Sequence, residues 1–235
     1  MKPNNTDPVD FLKDRILYED NHLLILNKRA GEIVQGDRTG DEPLLESARD
    51  YIRVKGNKPG NVFCGLVHRI DRPVSGAVIF AKTSKALARM NDLVKKRDVR
   101  KLYWAIVEGV VPEPKGHLSH FIWKNEKMNK SFVSLTEKEN WQKAELNYTV
   151  LGGSERYTLL EVELLTGRHH QIRAQLSAIG HPIKGDLKYG AKRSNEDGSI
   201  CLHAHQLTFE HPVSHQLVDV KAKPYNPLFV KLKEN

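Results

Sequence analysis

Asp71 is the one carboxylate in the stretch Val67-His-Arg-Ile-Asp-Arg-Pro-Val-Ser-Gly76, where it stands between Arg69 and Arg72 and just ahead of Pro73. A carboxylate among guanidinium groups can be half of a surface ion pair, part of an anion site, or an ionised nucleophile or base. A second cluster lies a hundred residues on, in Thr166-Gly-Arg-His-His-Gln-Ile-Arg173. Read as the start of a helix, it gathers Arg168, His169, His170 and Arg173 around two turns, with Arg173 on the face of both histidines. The helix N-terminus adds partial positive charge. The cluster is a candidate site for a phosphate or for a carboxylate from elsewhere in the fold; the alternative is a solvated basic helix end. A carboxylate near Arg173 would have its pKa lowered and stay ionised.

Other chemistries fit poorly. His169-His170 and His203-x-His205 have few carboxylates or cysteines beside them and many arginines, an unfavourable setting for a divalent metal. His203 and His205 alternate on a strand-like stretch and read as structural. Ser75 lacks the G-x-S-x-G elbow of an acyl hydrolase. Neither a Walker loop nor a G-x-G-x-x-G is present.

The elements that must position these residues follow from periodicity. Apolar runs at 62–67 and 76–81 predict strands, which makes the Asp71 segment the loop between them. Residues 16–27 predict two short strands with a turn near Asn21. Pro43 opens a helix with Leu44, Leu45, Ala48, Tyr51 and Ile52 on one face, ended by Gly56. Ser84 is the expected N-cap of a helix that turns Leu87, Met90 and Val94 inward. Strands are expected at 102–107, 144–151, 157–165, 207–210 and 217–222, with short strands and loops over 112–142. The helix begun at Thr166 buries Ile172, Leu176 and Ile179, and Gly180 stops it. Many strands and few helices, without strict alternation, predict an α+β fold with a mixed, mostly antiparallel sheet. No linker is visible, so one domain is expected over 16–235 after a short N-terminal extension, 1–15.

The 235 residues carry a net charge of +8, unevenly spread. Residues 51–100 hold 12 basic and 3 acidic side chains, and between Arg168 and Arg193 six basic residues accompany a single acid, Asp186. Such segments suit a polyanion, nucleic acid first, although charge alone does not separate this from a solvated basic surface. No apolar run is long enough to span a bilayer and no signal-peptide core is visible. Two distant cysteines fit a reducing cytoplasm.

Four blocks resemble the RluA-type pseudouridine synthases: Ile16–Gly31, His68–Thr83, Lys101–Gly109 and Thr166–Gly190, in the family's order. The resemblance implies a cofactor- and metal-free isomerase that acts on structured RNA, ribosomal or transfer, as a cytoplasmic monomer. It implies that Asp71 attacks the target uridine, that Arg69 enters the RNA where the base is flipped out, and that Tyr103 stacks on that base and helps remove its C5 proton. It implies that Arg173 pairs with Asp71 and that Ile172 lies beside the uracil. His68, Arg72, Arg168, His170 and Gln171 complete the implied RNA-contacting set. An alternative is a catalytically silent RNA-binding protein of the same fold, against which the intact Asp71, Tyr103 and Arg173 speak. Two positions depart from the family pattern. Arg29 replaces the usual proline of Lys-Pro-Ala-Gly, and Ala174-Gln175 stands where the family often has x-His. The short segment before Ile16 is too small for the S4 domain that many relatives carry, so RNA binding is expected to rest on the catalytic domain.

Overall fold

The computed structural model describes residues 7–37 and 40–234. In chain order its elements are α1 (Pro8–Leu12), β1 (Ile16–Glu19), β2 (Leu23–Lys28), α2 (Leu44–Lys55), β3 (Gly65–Leu66), β4 (Ser75–Ala81), α3 (Ser84–Lys96) and β5 (Arg100–Glu108). There follow β6 (Lys115–Asn125), β7 (Lys130–Ser134), β8 (Gln142–Gly153), β9 (Tyr157–Leu164), α4 (Gln171–Ala178), β10 (Leu202–Glu210), β11 (Leu217–Lys221) and α5 (Leu228–Lys233). The class is α+β with mostly antiparallel pairing, as the strand-rich pattern predicts. The chain gathers into two compact units. The first runs up to Val99 and resumes over Ala204–Lys223; the second takes Arg100–His203 and the chain from Pro224 on. The linker-free sequence does not reveal this grouping.

In the first unit β2 pairs with β1 on one side and with β4 on the other, in register from Leu23–Ala81 to Lys28–Gly76. The β1–β2 turn closes on Asp20, whose carboxylate accepts the N–H groups of His22 and Leu23, both at 2.7 Å, a local turn device of aspartate. All six residues of β2 are buried, so both of its faces are covered. One face, with Leu23 and Ile25, joins Ala77, Ile79, Met90, Phe209 and Val218 in a single apolar cluster. Each such fully buried side chain stabilises the fold by roughly 1.5–3 kcal/mol. The far edge of β4 is shared. β3 pairs with Phe80 and Ala81, while β10 runs beside the start of β4, where Gly76 meets Ala204. This sharing cuts β3 to two residues although the apolar run at 62–67 predicts a full strand.

Helix α2 lies where Pro43 and Gly56 mark it, burying Leu44, Ala48, Tyr51 and Ile52. Helix α3 is capped by Thr83, whose hydroxyl accepts the Ala86 N–H at 3.1 Å, so Ser84 is the first helical residue rather than the cap. Residues 1–6 of the expected N-terminal extension lie outside the described residues. The rest of it is built into this unit: α1 leads into a 3-10 turn at Lys13–Arg15, and Leu12 and Arg15 are both buried.

In the second unit the strands follow the order β5-β9-β8-β6-β7, each neighbouring pair antiparallel. Instead of short strands and loops, residues 112–142 contain the eleven-residue β6 and a hairpin to β7. Buried His120 and Ile122 alternate there with more exposed residues. Helix α4 is shorter than expected, beginning at Gln171 rather than near Thr166. Its apolar positions Ile172 and Leu176 are buried as predicted. Gly180, with φ of +86°, ends the segment.

Gly76 has φ of +118°, and a Cβ there would meet the backbone of Ala204, its nitrogen at 2.5 Å. Only glycine permits both the dihedral and the approach. Gly76→Ala is expected to lower unfolding stability by more than about 2 kcal/mol, read as a reduced urea midpoint at unchanged m-value. A midpoint equal to the parent's would contradict the close approach of β10.

Candidate active site

Two groups of candidate residues arise, one in each unit. In the first unit, His68, Arg69, Asp71 and Arg72 occupy the loop between β3 and β4, a turn closed by the Val74 N–H donating to the Asp71 carbonyl at 3.0 Å. Asp71 is half-buried and Arg69 exposed. The His68 ring accepts the Ile79 N–H through Nε2 at 3.3 Å, which ties the head of the loop to β4. Arg72, left between a phosphate contact and simple solvation by the sequence, forms an ion pair with Asp41 at 2.6 Å.

What holds this loop is Lys28, at the end of β2. Its side chain is fully buried, and its ammonium donates to the carbonyls of Arg29 at 2.9 Å and Arg72 at 3.1 Å. The Gly31 N–H donates to the same Arg72 carbonyl at 2.8 Å. The residue next to Asp71 is therefore gripped twice from the β2 end. Burial drives the Lys28 pKa down to about 7; Glu32 and Asp71 pull it back up, while Arg15 and Arg72 push it further down. The departure at Arg29 has a local compensation. Where a proline would have no N–H, Arg29 donates one to the Glu32 carboxylate at 2.9 Å, and Glu32 also takes the buried Arg15 at 2.5 Å.

The second unit holds Tyr103, Arg168, His170, Gln171, Ile172 and Arg173. Tyr103 sits on β5 opposite Val162, largely buried. Arg173 is 5% exposed and meets Asp186, 1% exposed, in a two-pronged pair: Nε donates at 2.7 Å and one Nη at 2.9 Å. The guanidinium also stacks over the Tyr189 ring at 5.0 Å. This pair fixes the plane of Arg173 and takes two of its five N–H donors. Asp186 and Tyr189, which hold Arg173, are the neighbours the sequence reading misses. The signal is there, since Asp186 is the one acid in a basic segment and both lie in the fourth matching block.

Three expectations for Thr166–Arg173 change. Arg168, His169 and His170 precede the helix instead of winding its first turns, because His170 adopts a left-handed conformation, φ 52°. Gln171, implied as an RNA contact, is 3% exposed and holds the turn. Its side-chain carbonyl accepts from the Thr166 hydroxyl (2.8 Å) and the Arg168 N–H (2.9 Å), and its amide donates to the Glu145 carbonyl (3.0 Å). His170 is no cation. Burial, with Arg173 and His169 adding to it, pushes its pKa down to about 2, and Nδ1 meets the Tyr189 hydroxyl at 2.8 Å. Arg168 donates through Nε to the Lys143 carbonyl at 3.0 Å. Ile172 is buried, in keeping with its apolar type. Gln175, at the second departure, has its amide Nε2 within hydrogen-bond distance of the Leu118 and Ala144 carbonyls and His120 Nδ1, fastening α4 to β6 and β8.

Comparison with known proteins gives a consistent set. The family model described as RNA pseudouridylate synthase matches residues 22–178. An uncharacterized RNA pseudouridine synthase of Synechocystis is 34% identical over 226 residues, covering 92% of this chain and 67% of its own. The ribosomal large subunit pseudouridine synthase C of Buchnera aphidicola is 33% identical, covering 90% and 67%. The chain thus spans about two thirds of the length of these curated relatives. Among solved structures, human RNA pseudouridylate synthase domain containing 4 superposes with a TM-score of 0.77 at 24% identity, covering 94% of this chain and 92% of its own, a likeness of fold.

Two predictions follow from the buried charges. Asp186→Ala removes the carboxylate that meets the buried Arg173 in plane and is expected to cost about 3–5 kcal/mol in chemical denaturation; a loss below about 1 kcal/mol would contradict the pair's role. For Lys28, the folded pKa of about 7 lies below its ordinary 10.5, so the unfolded chain binds the extra proton between those values. Stability then rises with pH across that window and is flat below it. The unfolding free energy of the parent relative to Lys28→Met is expected to grow from pH 7 to pH 10. A pH-independent difference would mean that Lys28 is not desolvated.

Proposed function

The chain belongs to the RNA pseudouridylate synthase family and is an RNA pseudouridine synthase, an isomerase; from that premise we propose that Asp71 carries the reaction on uridines of structured RNA, ribosomal RNA first. The supporting observation is that the family match over residues 22–178 contains Asp71, Tyr103 and Arg173 together. The ribosomal preference rests on the curated relatives named for the large ribosomal subunit.

The reaction breaks the N1–C1′ bond, turns the uracil, forms a C5–C1′ bond, releases the C5 proton to solvent and takes one up at N1, with no net change of composition. A uridine in a stem must first leave its stack, at a cost of a few kcal/mol. Arg69, exposed on the loop, fills the space it leaves; a guanidinium can stack on bases and bind phosphate at once. Asp71 engages the extruded nucleoside through its carboxylate, and Arg173 supplies a fixed positive charge to the reaction. Tyr103 offers a flat ring for the base and a hydroxyl that takes part in removing the C5 proton. Ile172 supplies an apolar neighbour to the uracil. Arg72 and Arg168 contribute phosphate contacts. No helix among the described residues is long and apolar enough to cross a membrane. Both cysteines are free and buried, with the Cys64 thiol pushed up to about 12 by burial, which suits a reducing compartment, and we assign the protein to the cytoplasm.

The test is tritium release from ribosomal RNA labelled at C5 of uridine. Wild type is expected to release tritium, and Asp71→Asn to lose more than about 1000-fold in rate. Release that survives the substitution would remove Asp71 from the reaction.

A further inference from the structure

The hairpin β6–β7 and the start of β8 carry three aromatic rings in a row that none of these roles uses. Trp123 on β6 lies directly opposite Phe132 on β7, their ring centroids 6.0 Å apart. On its other side Trp123 stacks with Trp141, centroids 6.2 Å apart and planes 28° from parallel. Ile122 pairs with Gln142, so Trp123 and Trp141 fall opposite one another on the same face. Trp123 is 38% and Phe132 37% exposed, while Ile122, next to Trp123 along β6 and so on the other face, is buried. The row therefore lies on the outward face of these three strands.

Lysines accompany it. Lys130 lies between two rings, 5.3 Å from Tyr189 and 5.9 Å from Phe132, and Lys138 stands over the Trp141 ring at 5.0 Å. Neither ammonium is drawn into an ion pair among the described residues. Lys143 extends the same face, opposite Phe121. Residues 115–143 carry six lysines against three glutamates. Exposed apolar rings cost solubility and ordinarily mark a surface that meets something. A plain apolar protein partner would not call for cations set over the rings. A strand of bases and phosphates matches both features, since bases stack on aromatic faces and phosphates pair with lysine.

We infer that Trp123, Phe132 and Trp141, with Lys130 and Lys138, form a stacking platform for unpaired nucleotides of the RNA substrate, separate in sequence from the Asp71 loop. The inference rests on RNA being the substrate. Stacking of this kind is tolerant of base identity, so the platform adds affinity and holds the RNA without choosing the target uridine.

The test uses two readouts. One is the Kd of an unstructured oligouridylate, measured by anisotropy in an Asp71→Asn background where no turnover is needed. The other is KM and kcat for tritium release from ribosomal RNA. Trp123→Leu with Trp141→Leu keeps apolar bulk but removes the rings. It is expected to raise Kd and KM about tenfold or more while leaving kcat within about twofold. Trp123→Phe with Trp141→Phe is expected to restore most of the binding. In the unaltered protein, oligouridylate is expected to quench tryptophan emission, a measurement that does not depend on any variant folding. Unchanged Kd and KM in the leucine pair would overturn the platform. So would phenylalanine variants as weak as the leucine ones, or a leucine pair that leaves RNA binding intact while turning a dimer into a monomer in sedimentation. If instead wild type binds the oligomer through these rings but isomerises no RNA, the proposed activity falls and the platform stands.

Discussion

A lysine ammonium buried at the end of a strand is the constraint on which the Asp71 loop depends. Lys28 has no access to water, and a protonated amine there must replace its hydration with carbonyl oxygens. It takes those of Arg29 and Arg72, and so ties the turn after β2 to the residue beside Asp71. The Gly31 N–H shares the Arg72 carbonyl, and Gly31 can lend it because its φ of +87° suits glycine. The loop is thus held through its backbone, and the side chains of Asp71 and Arg69 are left to chemistry. The burial that costs the ammonium its proton affinity also makes this anchor sensitive to what surrounds it, including Glu32 and Asp71 themselves.

The second unit solves a similar problem with an ion pair. An arginine at 5% exposure is made tolerable by Asp186, which meets it in plane, and by Tyr189, which lies under it. The neutral state of His170 follows first from its burial, and the charges of Arg173 and His169 add to it. The neighbouring histidines also hydrogen-bond: His169 meets the Ser131 hydroxyl and the Asn129 side chain.

Much of this was legible in the sequence, for identifiable reasons. Helices α2 and α3 and the strand runs of β2, β4, β5, β8 and β9 follow from hydrophobic periodicity, and the ends of α2 from Pro43 and Gly56, while the cap of α3 is Thr83, one residue before the expected Ser84. The Asp71 loop was legible because two apolar runs flank a charged cluster. The start of α4 was not, because Gln171 captures Thr166 and Arg168 and holds the chain in a turn, and side-chain competition of that sort leaves no periodic trace. Strands β6 and β7 were obscured by an outward face of aromatics and lysines, which reads as irregular polarity. Nothing in the sequence marks Lys28 as buried, since lysines nearly always lie at the surface. Asp186 stood out as a lone acid, but nothing in its spacing named Arg173 as its partner. Pairings set by tertiary contact rather than by local pattern are what the sequence withholds.

The most direct test of the central claim, that the Asp71 carboxylate carries the isomerisation, is nucleoside mapping in cells. Pseudouridine would be mapped in ribosomal RNA from cells lacking this protein and supplied with either the wild type or Asp71→Asn. The account predicts that the missing pseudouridines return with wild type and stay absent with Asp71→Asn expressed at the same level. Their return with the asparagine variant would contradict it.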